Sequence, residues 1–481
     1  MQTNLHTHKW LAMGGLGMGV FMATLDASIV NIALPTLAEE FNTDFTTIQW
    51  VVLSYALVLT SFMLMIARLG DMLDKKSIWL GGLLLFTSGS LLCGMAPTAG
   101  WLIAFRALQG LGATMMQALG MAMVAEVFPA SERGQALGVL GSIVSVGIAV
   151  GPPLGGILIG AAGWRWIFLV NVPVGLLTAL VVTRFVSSST PVVGQQRFDL
   201  RGASVLLVTL ALYALGMTLG QRVGFGTPLT LSLLGGAVIG LVSLLMVERR
   251  TVQPMIDLDL FRNPLFGLNL LMGLLVFLVL SASFILPFLL ELVGGYSTQF
   301  VGVMMMAFPV TMGLVAPAAG MLADRYGSRL ISIIGLLVII GGCLSMVTLT
   351  AEVTPLGFVG RMIPLGLGFG LFQTPNNSAI MGAAPRHRMG IANGLLSLSR
   401  TLGQTTGVPL MGALFAAQAL AFAGLPVGTN AATAPPQALV AGITGVYAVG
   451  AGIMVVAALL ALWAYRLDRR TAAEASVRVT G

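Results

Sequence analysis

Leu25-Asp26-Ala27-Ser28-Ile29-Val30-Asn31-Ile32-Ala33-Leu34-Pro35 sets an acid inside a stretch that, from Trp10 onward, is otherwise apolar enough to cross a membrane. A carboxylate well inside a spanning helix costs about 2.5–3.5 kcal/mol on insertion scales, so such a residue is not left facing lipid. At helical spacing Gly15, Gly19, Met22 and Asp26 share one stripe, and its small residues permit close packing beside the acid. The stretch reads as an ion or proton site inside a helix bundle. The competing reading is a structural ion pair that holds two helices together.

The rest of the chain agrees with a membrane solvent. Of its 481 residues 57% are hydrophobic and only 9% are charged, and the mean hydropathy is +0.96, which excludes an ordinary soluble domain. The formal charge of +7 does not point to nucleic acid, because the basic residues lie between apolar runs rather than in a patch. Cys93 and Cys343 each fall within an apolar run, so no disulfide framework is implied. The first apolar segment is too long for a cleaved signal and is read as a retained helix. No phosphate-binding Gly-x4-Gly-Lys-Ser/Thr loop is present, and His6, His8 and His387 form no metal-ligand spacing. Transport, if it occurs, would be driven by a gradient, without cofactor or metal.

Fourteen spans are predicted, at 10–34, 47–67, 77–96, 101–125, 136–160, 166–185, 201–219, 228–247, 266–290, 300–323, 330–349, 355–380, 391–421 and 438–465. With both termini in the cytoplasm, the inner loops hold Lys75, Lys76, Arg249, Arg250, Arg325, Arg329 and most other basic residues. The outer loops hold only Arg165 and Arg222, an asymmetry that sets the orientation. The chain also repeats itself. The turn Gly70-Asp71-Met72-Leu73-Asp74-Lys75-Lys76 returns as Ala323-Asp324-Arg325-Tyr326-Gly327-Ser328-Arg329, and Arg106 with Gly110-Leu111-Gly112 returns as Arg361 with Gly366-Leu367-Gly368. The repeat advances eight helices. It implies a six-helix bundle over 1–185, a linker with two inserted helices over 186–250, and a second six-helix bundle over 251–481. Parallel repeats of this kind build carriers that rock around a midplane site.

In span five, Gly147, Gly151 and Gly155 recur every four residues and Gly156 follows, while Pro152 and Pro153 remove backbone donors in the same turn. Gly147 to Gly156 resembles the antiporter motif of the major facilitator superfamily. Leu25 to Pro35 is similar to the first-helix motif of its fourteen-helix drug:proton antiporter branch, the EmrB/QacA-like exporters. Arg106-Ala107-Leu108-Gln109-Gly110-Leu111-Gly112 resembles the superfamily's fourth-helix motif. Trp164 to Phe168 with Asn171-Val172-Pro173-Val174-Gly175, Phe261-Arg262-Asn263-Pro264 and Arg400-Thr401-Leu402-Gly403 match the same branch. The first cytoplasmic turn departs from the pattern, keeping Asp71, Lys75 and Lys76 but placing Ala67, Met72 and Asp74 where the branch has glycine, arginine and glycine. The charge latch that the resemblance implies is therefore weakened in this half, whereas the second half keeps Asp324, Arg325, Gly327 and Arg329. Glu291 stands where the branch has glutamine, and Gln117 where it often has proline.

At 1.5 Å per residue the depths of Asp26 and Arg106 differ by roughly 6 Å, within an arginine's reach. Burial favours the protonated acid and a neighbouring arginine favours the ionised one, a balance suited to a proton-coupled switch, although a permanently locked pair has the same spacing. Gly147, Gly151, Pro152, Gly155 and Gly156 are expected to form the seam on which the bundles rock. Met22, Gln109, Glu291, Arg361 and Arg400 are candidates for the cavity. Arg361 has no acidic partner at the equivalent depth of span nine, where Ser281 and Ala282 stand, and reads as a packing or gating residue. The resemblance implies an inner-membrane exporter of small, largely apolar compounds in exchange for protons. It would be a monomer with no nucleic-acid role, and with room for an accessory export partner. Two alternatives are a proton-coupled uptake permease and a lipid- or metabolite-handling membrane protein.

Overall fold

A computed structural model describes residues 2–129, 133–187, 199–251, 256–385, 389–426, 429 and 431–480. Every regular element among these residues is helical. The long helices are α1 (Gln2–Glu40), α2 (Trp50–Met72), α3 (Lys75–Gly94), α4 (Ala99–Val127), α5 (Arg133–Ala162), α6 (Asn171–Phe185), α7 (Leu200–Val223) and α8 (Pro228–Arg250). They continue with α9 (Pro264–Leu280, extended through a tighter turn to Leu286–Leu292) and α10 (Thr298–Met305 followed by Ala307–Tyr326). The last four are α11 (Ser328–Val347), α12 (Pro355–Ala383), α13 (Met389–Ala423) and α14 (Pro436–Thr480). Among the described residues, twelve helices are long and apolar enough to cross a membrane.

Helix starts follow local chemistry. Asp74 accepts from Ser77 N at 3.0 Å to cap α3, and Thr98 caps α4. Asn263 and Thr354 cap α9 and α12, each followed by a proline whose missing N–H is no loss in the first turn. α5 runs as one helix through Pro152 and Pro153.

Contacts divide the chain into two units. The first holds Met1–Gly216, Leu231–Met255 and Ser297–Met306; the second holds Met217–Thr230, Ile256–Tyr296 and Ala307–Gly481. In the first unit, glycines let backbones touch. A Cβ on Gly82 would lie 3.0 Å from Gly112 O, and one on Gly110 would lie 2.8 Å from Tyr55 O, so α4 rests directly on α3 and α2. Trp79 fills the space beside Gly19, fully buried, and donates from Nε1 to Met116 O at 3.1 Å. In the second unit the same arrangement recurs. A Cβ on Gly335 would meet Gly368 O at 2.9 Å, and Gly366 faces Phe308, so α12 rests on α11 and α10 as α4 does on α3 and α2. The repeat read in the sequence is thus a repeat of backbone contacts.

Candidate functional site

The acid of α1 is enclosed on all sides. Asp26 and Arg106 are both wholly buried, and Arg106 Nη1 donates to Asp26 Oδ2. The other carboxylate oxygen, Oδ1, accepts from Gln109 Nε2 at 2.8 Å and from Asn171 Nδ2 at 3.0 Å. Both amides also donate to Ser90 Oγ, at 3.1 and 2.9 Å, and Ser90 Oγ itself donates to Phe168 O at 2.9 Å. Arg106 is held from its own side. Its Nε donates to Val51 O at 3.0 Å, its Nη1 also reaches Gln109 Oε1 at 2.7 Å, and its guanidinium lies 4.2 Å from the Tyr55 ring centroid. Five helices, α1, α2, α3, α4 and α6, thus meet on one ion pair. In so dry a place each donor counts, since a buried charge is tolerated only when paired and fully hydrogen-bonded.

Arg106 and Gln109 stand three residues apart on α4, which puts both on the face toward α1. Asn171 opens α6, where the turn after Trp166–Leu169 aims its side chain inward. Gln109, a cavity candidate by its sequence position, is fully buried and belongs to the ion pair. Met22, likewise a candidate, lies in the apolar core of the first unit, with Thr178 Oγ1 3.9 Å from its sulfur. Asn171 could have been found as the one amide in the Trp164–Gly175 stretch. Ser90 and Tyr55 carried no such signal.

The helix-five glycines serve two faces rather than one seam. Gly147, Gly151 and Gly155 lie against α1. A Cβ on Gly155 would come 2.6 Å from Ile32 Cγ2, one on Gly151 would overlap Ser28, and Ser28 Oγ donates to Gly147 O at 3.3 Å. Gly156 turns the other way, where a Cβ would sit 2.9 Å from Gln299 Cα at the start of α10. Across the same contact, a Cβ on Gly302 would lie 3.2 Å from the Pro152 carbonyl carbon.

At the turn after α2, the side chain of Asp71 lies outside the described residues. Lys75 is buried and pairs with Glu126 on α4 at 2.8 Å, while Lys76 Nζ donates to Thr183 O at 3.0 Å. In the second unit Asp324 and Arg325 are exposed, and Arg329 pairs with Asp468 of α14 at 2.7 Å. Each turn therefore has an anchored cation, paired with an acid from outside the motif, Glu126 or Asp468. Glu291 is half-buried near the end of α9. Arg361 reaches the last turn of α11, donating to Ser345 O at 3.1 Å, Thr348 O at 3.0 Å and Gly357 O at 2.9 Å. At Ser345 and Thr348 it adds donors to carbonyls where α11 ends, a packing role.

A carboxylate, an arginine and two amides buried among membrane-crossing helices, with closely packed glycine seams beside them, define a polytopic helical carrier. The chain belongs to the Major Facilitator Superfamily, whose profile matches residues 16–408. It is 34% identical to the riboflavin transporter RibZ of Clostridioides difficile, over 85% of this chain and 88% of that one. It is also 34% identical to the multidrug resistance protein Stp of Mycobacterium tuberculosis, over 85% and 76% respectively. Among solved structures, a bacterial homologue of the human lysosomal transporter Spinster shares the fold, with a TM-score of 0.70, 16% identity, and coverage of 95% of this chain and 97% of that one. The protein is a multi-pass membrane transporter of this superfamily.

Proposed function

We propose that this transporter exports small, largely apolar compounds across the inner (plasma) membrane in exchange for protons, with Asp26 as the proton-carrying group. The observation that carries the reading is the convergence of Arg106, Gln109 and Asn171 on one buried carboxylate. Protonating Asp26 removes the charge that holds Arg106, and it leaves two amide donors facing a neutral carboxyl that attracts them more weakly. Helices α1, α4 and α6 are then free to rearrange, so occupancy by a proton and conformation become linked. The glycine contacts of α5 with α1 and α10 are where such a rearrangement would slide. Fourteen spans with both termini in the cytoplasm complete the proposal, α7 and α8 being the inserted pair. The protein acts as a monomer and needs no cofactor. The multidrug resistance protein Stp supports export. The riboflavin transporter RibZ favours a second reading, proton-coupled movement of a vitamin-like nutrient.

Proton release on substrate addition to proteoliposomes, measured with a pH dye, tests the exchange; its absence for every compound in a drug panel would sink it. Orientation is checked by labelling. Cys93 and Cys343 are both buried, so single cysteines at Ser187 and Thr429 can be added to the natural chain. Membrane-impermeant maleimide applied to intact cells should label position 429 and not position 187. Labelling of both from outside would overturn the fourteen-span orientation.

Asn171 offers a sharper test of the network. Asn171→Leu keeps the branched outline of the side chain but removes both donors, and a hydrogen bond to a charge is worth about 1.5–3 kcal/mol, so export should fall roughly tenfold or more. Asn171→Gln, which can still donate, should recover part of the rate. Unchanged export by Asn171→Leu would show that the amide is incidental to coupling.

A further inference from the structure

The second unit contains a cation that, unlike Arg106, has no acid of its own. Arg400 on α13 is half-buried; its Nη2 donates to Asn377 Oδ1 at 3.0 Å, and its guanidinium lies 5.5 Å from the Phe277 ring centroid. Its Nε is buried without a partner, and no Asp or Glu among the described residues pairs with it. One amide oxygen and one ring face do not neutralise a guanidinium, whose five N–H donors form a planar fork suited to two acceptor oxygens. Arg361 offers the contrast within the same unit, its donors being taken up by the backbone carbonyls of Ser345, Thr348 and Gly357.

The surroundings of Arg400 are also incomplete. Asn376 Oδ1 and Asn269 Nδ2 are buried without partners, and Asn376, Asn269 and Ser399 cluster around Gly273 on the adjoining faces of α9, α12 and α13. Buried polar atoms left open in this way are uncommon and ask for an explanation. On its other side Arg400 begins an aromatic row. Phe277 packs edge-on against Phe369 at 5.5 Å, and Phe369 lies 5.6 Å from Phe308. Phe308 and Phe369 line a small cavity of about 30 Å³ whose other walls are mostly apolar, Val276 and Leu365 among them, with Ser283 and Tyr447 as its polar members.

We infer that Arg400 is the anchor for an anionic group, a carboxylate or an aryl oxide, on a substrate whose aromatic body lies along Phe277, Phe369 and Phe308. A cation without a counter-ion at this depth is expensive, and a bound anion supplies what the chain omits. The substrate is then an acidic aromatic compound, apolar except at one end. This assignment rests on the transporter reading above, and it names the substrate class. It does not depend on Asp26, which lies in the other unit.

The test uses binding, which needs no gradient, so its failure is separate from failure of proton exchange. The full-length protein in lipid nanodiscs is titrated calorimetrically at neutral pH with 2-naphthoate and with its uncharged counterpart 2-naphthamide. The carboxylate should bind about tenfold or more tightly than the amide, the worth of hydrogen bonds to a charge. Arg400→Gln should erase that preference, and Phe369→Leu should weaken both probes alike and leave their ratio intact. If Arg400→Gln does not fold, Arg400→Lys decides: it keeps the charge but loses the fork, and the preference should drop several-fold. Equal affinities in the natural protein, no binding of 2-naphthoate, or a preference that survives the Arg400 substitutions would overturn the assignment.

Discussion

Asp26→Asn is expected to reduce proton-driven accumulation of substrate to passive equilibration while the protein still inserts and exchanges substrate across the membrane. The amide keeps the shape of the carboxylate but cannot ionise, so a pH gradient has nothing to act on. The geometry adds a second consequence. Arg106, Gln109 and Asn171 all present donors to the carboxylate, and an amide offers them one acceptor oxygen instead of two. One donor is left facing an N–H₂ group, and Arg106 remains buried without its counter-ion, at a cost of about 3–5 kcal/mol. The single variant should therefore unfold at a markedly lower temperature. Removing both charges, as Asp26→Asn with Arg106→Gln, should restore much of that stability because no uncompensated charge remains. It should not restore accumulation. This pair of measurements separates the two roles of the ion pair: stability returns with charge balance, coupling does not. If Asp26→Asn accumulates substrate against a gradient with an unchanged pH profile, the pair is structural, and Glu291 is the next acid to examine.

Gly151→Leu should abolish transport in protein that is still made and inserted. A Cβ alone at this position would overlap the Ser28 side chain and come 3.1 Å from Ile29 N, and a leucine adds three further carbons. Ser28 cannot retreat cheaply, because its hydroxyl is held by Leu25 O and Gly147 O. α1 must then move away from α5, carrying Asp26 one turn further along with it. Overpacking of this kind costs about 1–3 kcal/mol in stability. The effect on transport is larger, since displacement by about 1 Å of a positioned group can cost around a hundredfold in rate. Gly341→Leu on α11 is the control, because a Cβ there meets nothing within 4 Å; it should transport normally. Near-normal export by Gly151→Leu would show that close contact between α1 and α5 is not required.

Much of this architecture was legible before any coordinates. Apolar length and the rarity of charge mark spans, since a backbone in lipid must satisfy its own hydrogen bonds and becomes helical whatever its neighbours are. The echo of Arg106-Gly110-Gly112 in Arg361-Gly366-Gly368 announced repeated units, and both glycine sets make the same close approaches. The depth of Asp26 and Arg106 follows from a fixed rise per residue, so their meeting could be expected from counting.

What the sequence by itself determined, then, is which residues share a helix face and at what depth they lie: Asp26 with Met22 and Gly19, Gly147 with Gly151 and Gly155, Arg106 with Gln109. Which face meets which was decided only by the tertiary structure. Asn171 donates to Asp26 across 145 residues and to Ser90 across 81, and Glu126 on α4 pairs with Lys75. Arg361 and Arg400, alike in sequence as lone intramembrane arginines, part company because one reaches the carbonyls at the end of α11 and the other lies beside Asn377 and Phe277. The reason is physical. Lipid is as apolar as leucine, so hydrophobicity drives helices into the membrane without saying how they rotate against one another, and that rotation is set by small residues and polar contacts made between distant segments.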